Sequence, residues 1–140
     1  MFHEDFLLRM IQQLVEALRR VMRLRERGEH AEARRVAGEL YDELTTVPRE
    51  VAEALDAASL AGLLGGAEKL RAMAMLLWEE GRIYDAEGDA SRARVRYRRA
   101  RELLLEAHAR GDVAPEDDAS LREQARVVPT RELEPRGPSG

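Results

Sequence analysis

The sequence predicts an all-α fold made of two antiparallel helical hairpins with a short-helix insertion between them. Three observations carry this prediction. Ala, Leu, Arg and Glu dominate a composition that is 44% hydrophobic and 36% charged, as in helix-rich globular chains. Apolar residues recur every three to four positions along the chain, which is the period of an amphipathic helix. Glycines at positions 28, 65–66 and 88 close the periodic stretches, as glycines at helix C-termini do.

The first hairpin is predicted over residues 4–44. Its first helix runs from about Glu4 to Arg27, and its apolar residues fill half of the cylinder, which is too much for one neighbour. Gly28 ends this helix, and a second helix follows from about Ala31 to Leu44. The buried side of the second helix should consist of Ala33, Val36, Ala37, Leu40 and Leu44.

The insertion, residues 45–66, should hold one or two short helices. Thr46 can cap a helix that has Pro48 in its first turn, and Ser59 can begin another short turn. Gly65-Gly66 ends the segment. The residues expected to be buried are Val51, Leu55, Leu60, Leu63 and Leu64.

The second hairpin is predicted over residues 67–110. Its first helix, residues 67–87, is apolar nearly all round and should therefore be central and buried. Gly88 makes the turn, and Asp89 can cap a last helix that runs to about Arg110. Residues 1–111 thus form one predicted domain. The remaining residues, 112–140, are a predicted tail with a possible short helix over 116–126.

One stretch of about 34 residues, beginning at Ala74, resembles a tetratricopeptide repeat, a helical hairpin with large and small residues at set positions. A weaker copy lies 60 residues earlier, where Gly28 corresponds to Gly88 and Val21 replaces Gly81. Because the spacing is 60 and not 34, the hairpins are not expected to stack as consecutive members of a regular array. The core should then close through the insertion, the tail or a second copy. The matching positions are Leu77, Gly81, Tyr84, Gly88, Ala93, Tyr97 and Ala100.

Most of the chain, about residues 2–107, also resembles a family of small uncharacterised bacterial helical proteins. The elements that carry this resemblance are an "F..D.LLR.I.QL" helix, an "R..GE..EA" turn, an "SL..LL" segment and an "EG.IY.A.GD...A...Y..A..L" hairpin. They lie at Phe2–Leu14, Arg25–Ala33, Ser59–Leu64 and Glu80–Leu103. The resemblance implies a tetratricopeptide-like fold and no assigned activity.

The sequence offers little support for catalysis, a cofactor or a metal. It has no Cys, and its three His residues are not arranged in an HExxH pattern. Glu29, His30 and Glu32 could supply metal ligands, but they lie on a predicted turn, where exposed polar residues are expected. The segment "GLLGG" lacks the Lys and Ser or Thr of a phosphate-binding loop. We therefore predict a non-enzyme without a cofactor.

A cytoplasmic location is also predicted. Glu4 and Asp5 interrupt the N-terminus, which does not look like a secretory signal. No stretch approaches the ~18 apolar residues of a membrane span. The net charge of −4 gives no overall attraction to nucleic acid or to membranes.

The strongest charged feature is the run "RARVRYRRAR" on the last helix, because guanidinium groups favour planar anions. This run could bind an acidic protein segment, or it could be a solvated face that Asp89, Glu102 and Glu106 partly neutralise. Nucleic acid is a further alternative, but Tyr97 is expected to be buried, so no stacking platform supports it. An arginine bias of this kind also arises in a GC-rich genome. The candidate arginines are Arg92, Arg94, Arg96, Arg98, Arg99 and Arg101.

We predict a non-catalytic protein-interaction or self-assembly module, with nucleic-acid binding through the arginine run as the alternative. The N-terminal end of the first helix carries apolar residues that the shorter second helix cannot reach. A homodimer would cover them, since two-fold pairing is the commonest solution. Residues 51–64 or the tail are the competing internal covers. The candidate self-association residues are Phe2, Phe6, Met10 and Ile11.

Overall fold

In a computed structural model residues 2–111 fold into six α-helices, which confirms the all-α prediction. The structure describes residues 2–111, with side chains from residue 5 onward. The predicted tail over 112–140 with its helix over 116–126, and the side chain of Phe2, lie outside the described residues. None of the described helices is long and apolar enough to cross a membrane. The helices are α1 (Phe2–Glu26), α2 (His30–Leu44), α3 (Arg49–Ala54), α4 (Ala57–Leu64), α5 (Ala67–Ala86) and α6 (Ala90–Ala109).

The turns of the two hairpins, α1–α2 and α5–α6, have the same geometry. Gly28 and Gly88 adopt φ angles of 76° and 82°, the left-handed region that glycine enters without a steric cost. The residue after each glycine also makes the same hydrogen bond: Glu29 N donates to Leu24 O at 2.9 Å, and Asp89 N donates to Tyr84 O at 2.8 Å. Residues 60 positions apart, which correspond in the sequence, therefore also have the same backbone geometry in the two turns.

The central helix is α5, as its apolar composition predicts. It packs against α1, α2 and α6, and it contributes more buried residues than any other described helix. Leu76, Leu77 and Ile83 are among the core residues that it supplies. Met75 is the exception, because it lies at a groove between α1 and α5 and its side chain is 50% exposed.

Close approach of α5 and α6 depends on Gly81. A Cβ atom added at this position would lie 2.5 Å from Cε1 of Tyr97, well inside van der Waals contact. Tyr97 also packs against Trp78, with ring centroids 4.4 Å apart. Gly81, the small residue in the sequence pattern, therefore permits the close approach of α5 and α6 at their crossing.

The insertion forms two short helices whose details differ from the prediction. α3 begins at Arg49 with Pro48 at the N-cap position, so Thr46 does not cap it. α4 begins at Ala57, and its cap is Asp56, whose side chain accepts a hydrogen bond from Ser59 N at 2.6 Å. Ser59 is therefore inside the helix and does not begin it.

Burial within the insertion was predicted correctly only in part. Leu60 and Leu64 are buried, and Leu55 is half-buried. Val51 and Leu63 were expected to be buried but are exposed. A six-residue helix such as α3 makes less than two turns, so the neighbouring helices decide which of its sides is covered.

The insertion does not separate the two hairpins. α4 packs against α6 and α5, which leaves α5 free to contact both helices of the first hairpin. α1 and α5 run parallel, because Ile11–Leu18 lie beside Glu68–Met75 while Arg25, further along α1, reaches Glu79. The two hairpins therefore pack directly on each other through α1, α2 and α5, although 60 residues separate their corresponding positions.

Helix α1 is longer than the helices that cover it. Its 25 residues extend over about 37 Å, whereas the 15 residues of α2 extend over about 22 Å. Since α5 begins opposite Ile11, about nine residues at the N-terminal end of α1 project beyond both neighbours. This end carries three of the predicted self-association residues, Phe2, Phe6 and Met10, and Ile11 lies where α5 begins.

Candidate functional site

The six candidate arginines of α6 do not form one free surface. Arg92 lies 3.6 Å from Asp89 and sits above the ring of Tyr84. Arg94 and Arg98 are exposed, and Arg101 is half-buried with Nε and Nη1 lacking a hydrogen-bond partner. The other two members of the set, Arg96 and Arg99, point toward the interior and make contacts with other helices.

Arg96 belongs to an ion-pair network built on two adjacent buried acids of α5, Glu79 and Glu80, each 5% exposed. Successive helical residues diverge by about 100°, so the two carboxylates face different helices. Glu79 accepts a hydrogen bond from Arg25 of α1 at 2.8 Å. Glu80 accepts two from Arg49 of α3, at 3.0 and 2.6 Å, and its Oε1 lies 3.1 Å from Nε of Arg96.

Arg49 is the hub that connects α3 to this network. It also donates to Glu53 at 2.7 Å, and its guanidinium lies 4.0 Å from the ring centroid of Tyr41. Burial alone would lower the pKa of Arg49, but the hydrogen bonds to Glu80 and Glu53 outweigh burial and raise it. Arg49 therefore stays charged and holds α3 against α5.

Arg99 satisfies the C-terminal end of α3. Its Nη2 donates to Ala52 O at 3.2 Å and to Leu55 O at 2.6 Å. Carbonyls in the last turn of a helix lack intrahelical partners, and a nearby arginine can bind them. This contact joins α6 to α3 across 44 residues of sequence.

A cleft of about 290 Å³ lies beside Arg99, between α3 and α6. We call it the α3–α6 cleft. The α6 side carries Arg96, Arg98, Arg99, Val95 and Glu102. Tyr41 and Glu53 line the opposite side, and the buried Leu77 closes the bottom.

Two tyrosines beside these helices stay protonated at physiological pH. Burial raises the pKa of Tyr41, and the nearby Arg49 only partly offsets that effect. Burial and a hydrogen bond from Tyr97 Oη to Asp85 Oδ2, at 2.7 Å, raise the pKa of Tyr97. Both hydroxyls are therefore neutral, and the Tyr97 hydroxyl links α6 to α5.

Potential metal ligands are dispersed. Across the part of the chain that the structure describes, no three His, Asp or Glu side chains come together as a metal site would require. His30 is the first residue of α2, and Glu29 before it makes no capping hydrogen bond through its side chain. Glu32 instead forms an ion pair with Arg35 on the surface of α2.

An apolar surface runs along the N-terminal half of α1 and the start of α5. Leu8, Ile11 and Val15 follow one another at helical spacing on the side that faces Met75, and a groove of about 220 Å³ lies between α1 and α5 there. Phe6 and Leu8 are 68% and 56% exposed. We call Leu8, Ile11, Val15 and Met75 the α1 surface; Phe6, two residues before Leu8, lies on nearly the opposite side of α1. Of the predicted self-association residues, Phe6 is exposed, whereas Met10 and Ile11 are partly buried.

Sequence reasoning missed the buried acid pair and the cleft. Glu79 and Glu80 are adjacent in sequence, and in the structure they face different helices. The signal for their burial was available, since both lie within a helix that is otherwise apolar nearly all round. Nothing local identified Arg25, Arg49 and Arg96 as their partners.

The chain matches no protein-family model, no curated protein and no solved structure. The resemblance to tetratricopeptide repeats and to the small bacterial helical family therefore stays a prediction. The surfaces of this chain are therefore the basis for the proposals on what it binds.

Proposed function

We propose that this protein is a non-catalytic interaction module that self-associates through the α1 surface. The observation that carries the proposal is the exposure of Leu8, Val15 and Met75 on one side of the molecule, with Phe6 also exposed on another side of the projecting end of α1. Each residue alone would be ordinary, since single exposed apolar side chains are common. Contiguous apolar patches, in contrast, usually mark an interaction site.

A second copy of the chain is the occupant that fits this surface best. The projecting end of α1 is a single helix with apolar residues on more than one side, so two such ends can lie against each other around a two-fold axis. The same patch then covers itself, and no other partner is needed. Of the internal covers, the segment over residues 51–64 is used elsewhere, because α4 packs against α6 and α5.

Nucleic-acid binding remains the alternative from the sequence, but the described contacts favour it less. Arg96 and Arg99 are engaged inside the protein, which removes two guanidinium groups from the candidate surface. Tyr97 is buried and cannot stack on a base. The cytoplasmic location inferred from the sequence is likewise part of the proposal.

Sedimentation equilibrium at tens of micromolar tests self-association, and we expect twice the mass of one chain. Leu8→Glu should yield the single-chain mass, because a charge on each copy would be buried at the contact. Val51→Glu is the matched control, since Val51 is 48% exposed on α3, away from the α1 surface. A single-chain mass for the unmodified protein, or equal effects of Leu8→Glu and Val51→Glu, would refute the proposal.

A further inference from the structure

The α3–α6 cleft, on a different side of the molecule from the α1 surface, combines a fixed guanidinium with unused hydrogen-bonding capacity. Nη2 of Arg99 is held by the carbonyls of Ala52 and Leu55, both of which are neutral. The carboxylate that pairs with Arg99, that of Glu102, lies 3.9 Å from Nη1, beyond hydrogen-bond distance. A guanidinium has five N–H groups, so donors of Arg99 remain for a ligand.

Arg99 is also preorganised. Its side chain is 17% exposed, and the two carbonyl contacts hold its position. Binding a ligand to such a group costs little side-chain entropy, in contrast to an arginine that moves freely in solvent. The planar fork of a guanidinium matches the two oxygens of a carboxylate.

Arg98 supplies a second cation at the same cleft. It is exposed, and among residues 5–111 it takes part in no hydrogen bond or ion pair. It directly precedes Arg99 in α6, and both residues line the cleft. A carboxylate held by Arg99 can therefore also attract Arg98 without breaking an existing contact.

The charged residues that line the cleft leave one positive charge uncompensated, which a single anionic group can neutralise. Arg49 and Arg96 pair with Glu80 and Glu53, so these four residues neutralise one another. Among the residues that line the cleft, Arg98 and Arg99 then face only Glu102, which gives the lining one net positive charge. A single carboxylate compensates it, whereas a phosphodiester chain would carry several charges past Glu53 and Glu102.

The size and lining of the cleft further restrict the class of ligand that can bind. About 290 Å³ accommodates a side chain or a chain end, at the lower limit of the range for small-molecule sites. Val95 is exposed at the rim and offers an apolar contact beside the arginines. We infer that the α3–α6 cleft binds a peptide carboxylate that stands next to an apolar residue, with Arg98 and Arg99 as its ligands.

An NMR titration of the full chain with short peptides tests this inference. One peptide carries a Glu-Leu pair among Ser and Gly and ends in an amide, and a second carries Gln-Leu with a free C-terminal carboxylate. A third, with Gln-Leu and an amidated end, has no carboxylate. We expect one or both of the first two to bind saturably, with the largest shifts at the Val95 methyls and the Nε of Arg98 and Arg99.

Variants then assign the binding to the cleft. Arg98→Gln should weaken it about tenfold, since it removes a charge-assisted hydrogen bond from a side chain without structural contacts. Arg19→Gln, which removes an exposed arginine of α1, is the control for net charge and should leave the affinity unchanged. Glu102→Gln should strengthen binding, because it removes the competing carboxylate.

Several outcomes would overturn the inference. They are equal binding of the peptide without a carboxylate, equal losses in Arg98→Gln and Arg19→Gln, and tighter binding of a single-stranded oligonucleotide at the same residues. Self-association is measured separately by sedimentation, so a failure of either proposal leaves the other intact.

Discussion

At the scale of single residues, the contact between Gly81 and Tyr97 shows most directly how a small side chain determines packing. The ring of Tyr97 lies over the backbone of α5, in the space where any other residue would place its Cβ. Tyr97 cannot move aside freely, because its hydroxyl is bound to Asp85 and its ring packs on Trp78. The absence of a side chain at Gly81 and the contacts of Tyr97 therefore fix the crossing of α5 and α6 together.

We expect Gly81→Ala to destabilise the protein by about 1–3 kcal/mol, as overpacking of a filled site does. The substitution raises helix propensity by about 1 kcal/mol, so a net loss would mean that the clash is the larger effect. Gly38→Ala is the matched control in α2, because a Cβ there meets no atom within 4 Å and should stabilise the helix. Urea unfolding measures both changes. Increased stability of Gly81→Ala would contradict the close approach.

At the scale of the elements, the short helix α3 is held by charge as well as by apolar burial. Its only buried residue is Ala52, so little apolar surface attaches it to the rest of the molecule. Arg49 at its start binds Glu80 of α5, and the carbonyls at its end bind Arg99 of α6. Contacts at both ends thus compensate for a weak hydrophobic contribution.

Removing the acid at the centre of this arrangement should be costly. We expect Glu80→Ala to reduce the free energy of unfolding by about 3 kcal/mol, since it leaves Arg49 and Arg96 without their shared carboxylate. This is the low end of the range for a broken buried pair, because both arginines keep some contact with solvent. Glu16→Ala, which breaks an exposed pair with Arg19, should cost at most about 1 kcal/mol. Similar losses for the two variants in chemical denaturation would show that the network is not stabilising.

At the scale of the whole molecule, the two hairpins share one core through α5, while the end of α1 has no described neighbour. The buried residues of α1, Leu18 and Val21, therefore lie in its C-terminal half, while its N-terminal half is mostly exposed. Self-association would complete its burial. Stability and association should then be coupled, because a partner that binds the folded chain stabilises it.

The coupling predicts that the thermal midpoint rises by several degrees over a hundredfold increase in protein concentration. Leu8→Glu should abolish this dependence while the midpoint at the lowest concentration stays close to that of the unmodified chain, because Leu8 is exposed in a single copy. Scanning calorimetry over a dilution series provides the measurement. A midpoint independent of concentration in the unmodified protein would argue against the dimer.

The sequence by itself determined the helices, their turns and the crossing of α5 with α6. These features depend on local chemistry: helical periodicity sets the long helices, glycine permits the positive φ angles at residues 28 and 88, and the small residue at 81 lies 16 positions from Tyr97. The N-cap of α6 also depends on local chemistry, because the side chain of Asp89 accepts a hydrogen bond from Arg92 N at 3.1 Å.

Only the tertiary structure decided which sides of the short helices are buried and which charges meet. Val51 and Leu63 are apolar, yet both are exposed, because α3 buries only Ala52 and α4 packs against α6 and α5 through its other residues. Glu79 and Glu80 pair with residues 54 and 31 positions away, and pairs this distant produce no recognisable pattern in the local sequence. The reason is physical: a helix forms from interactions within a few residues, whereas burial and ion pairing are properties of the neighbours that packing brings together.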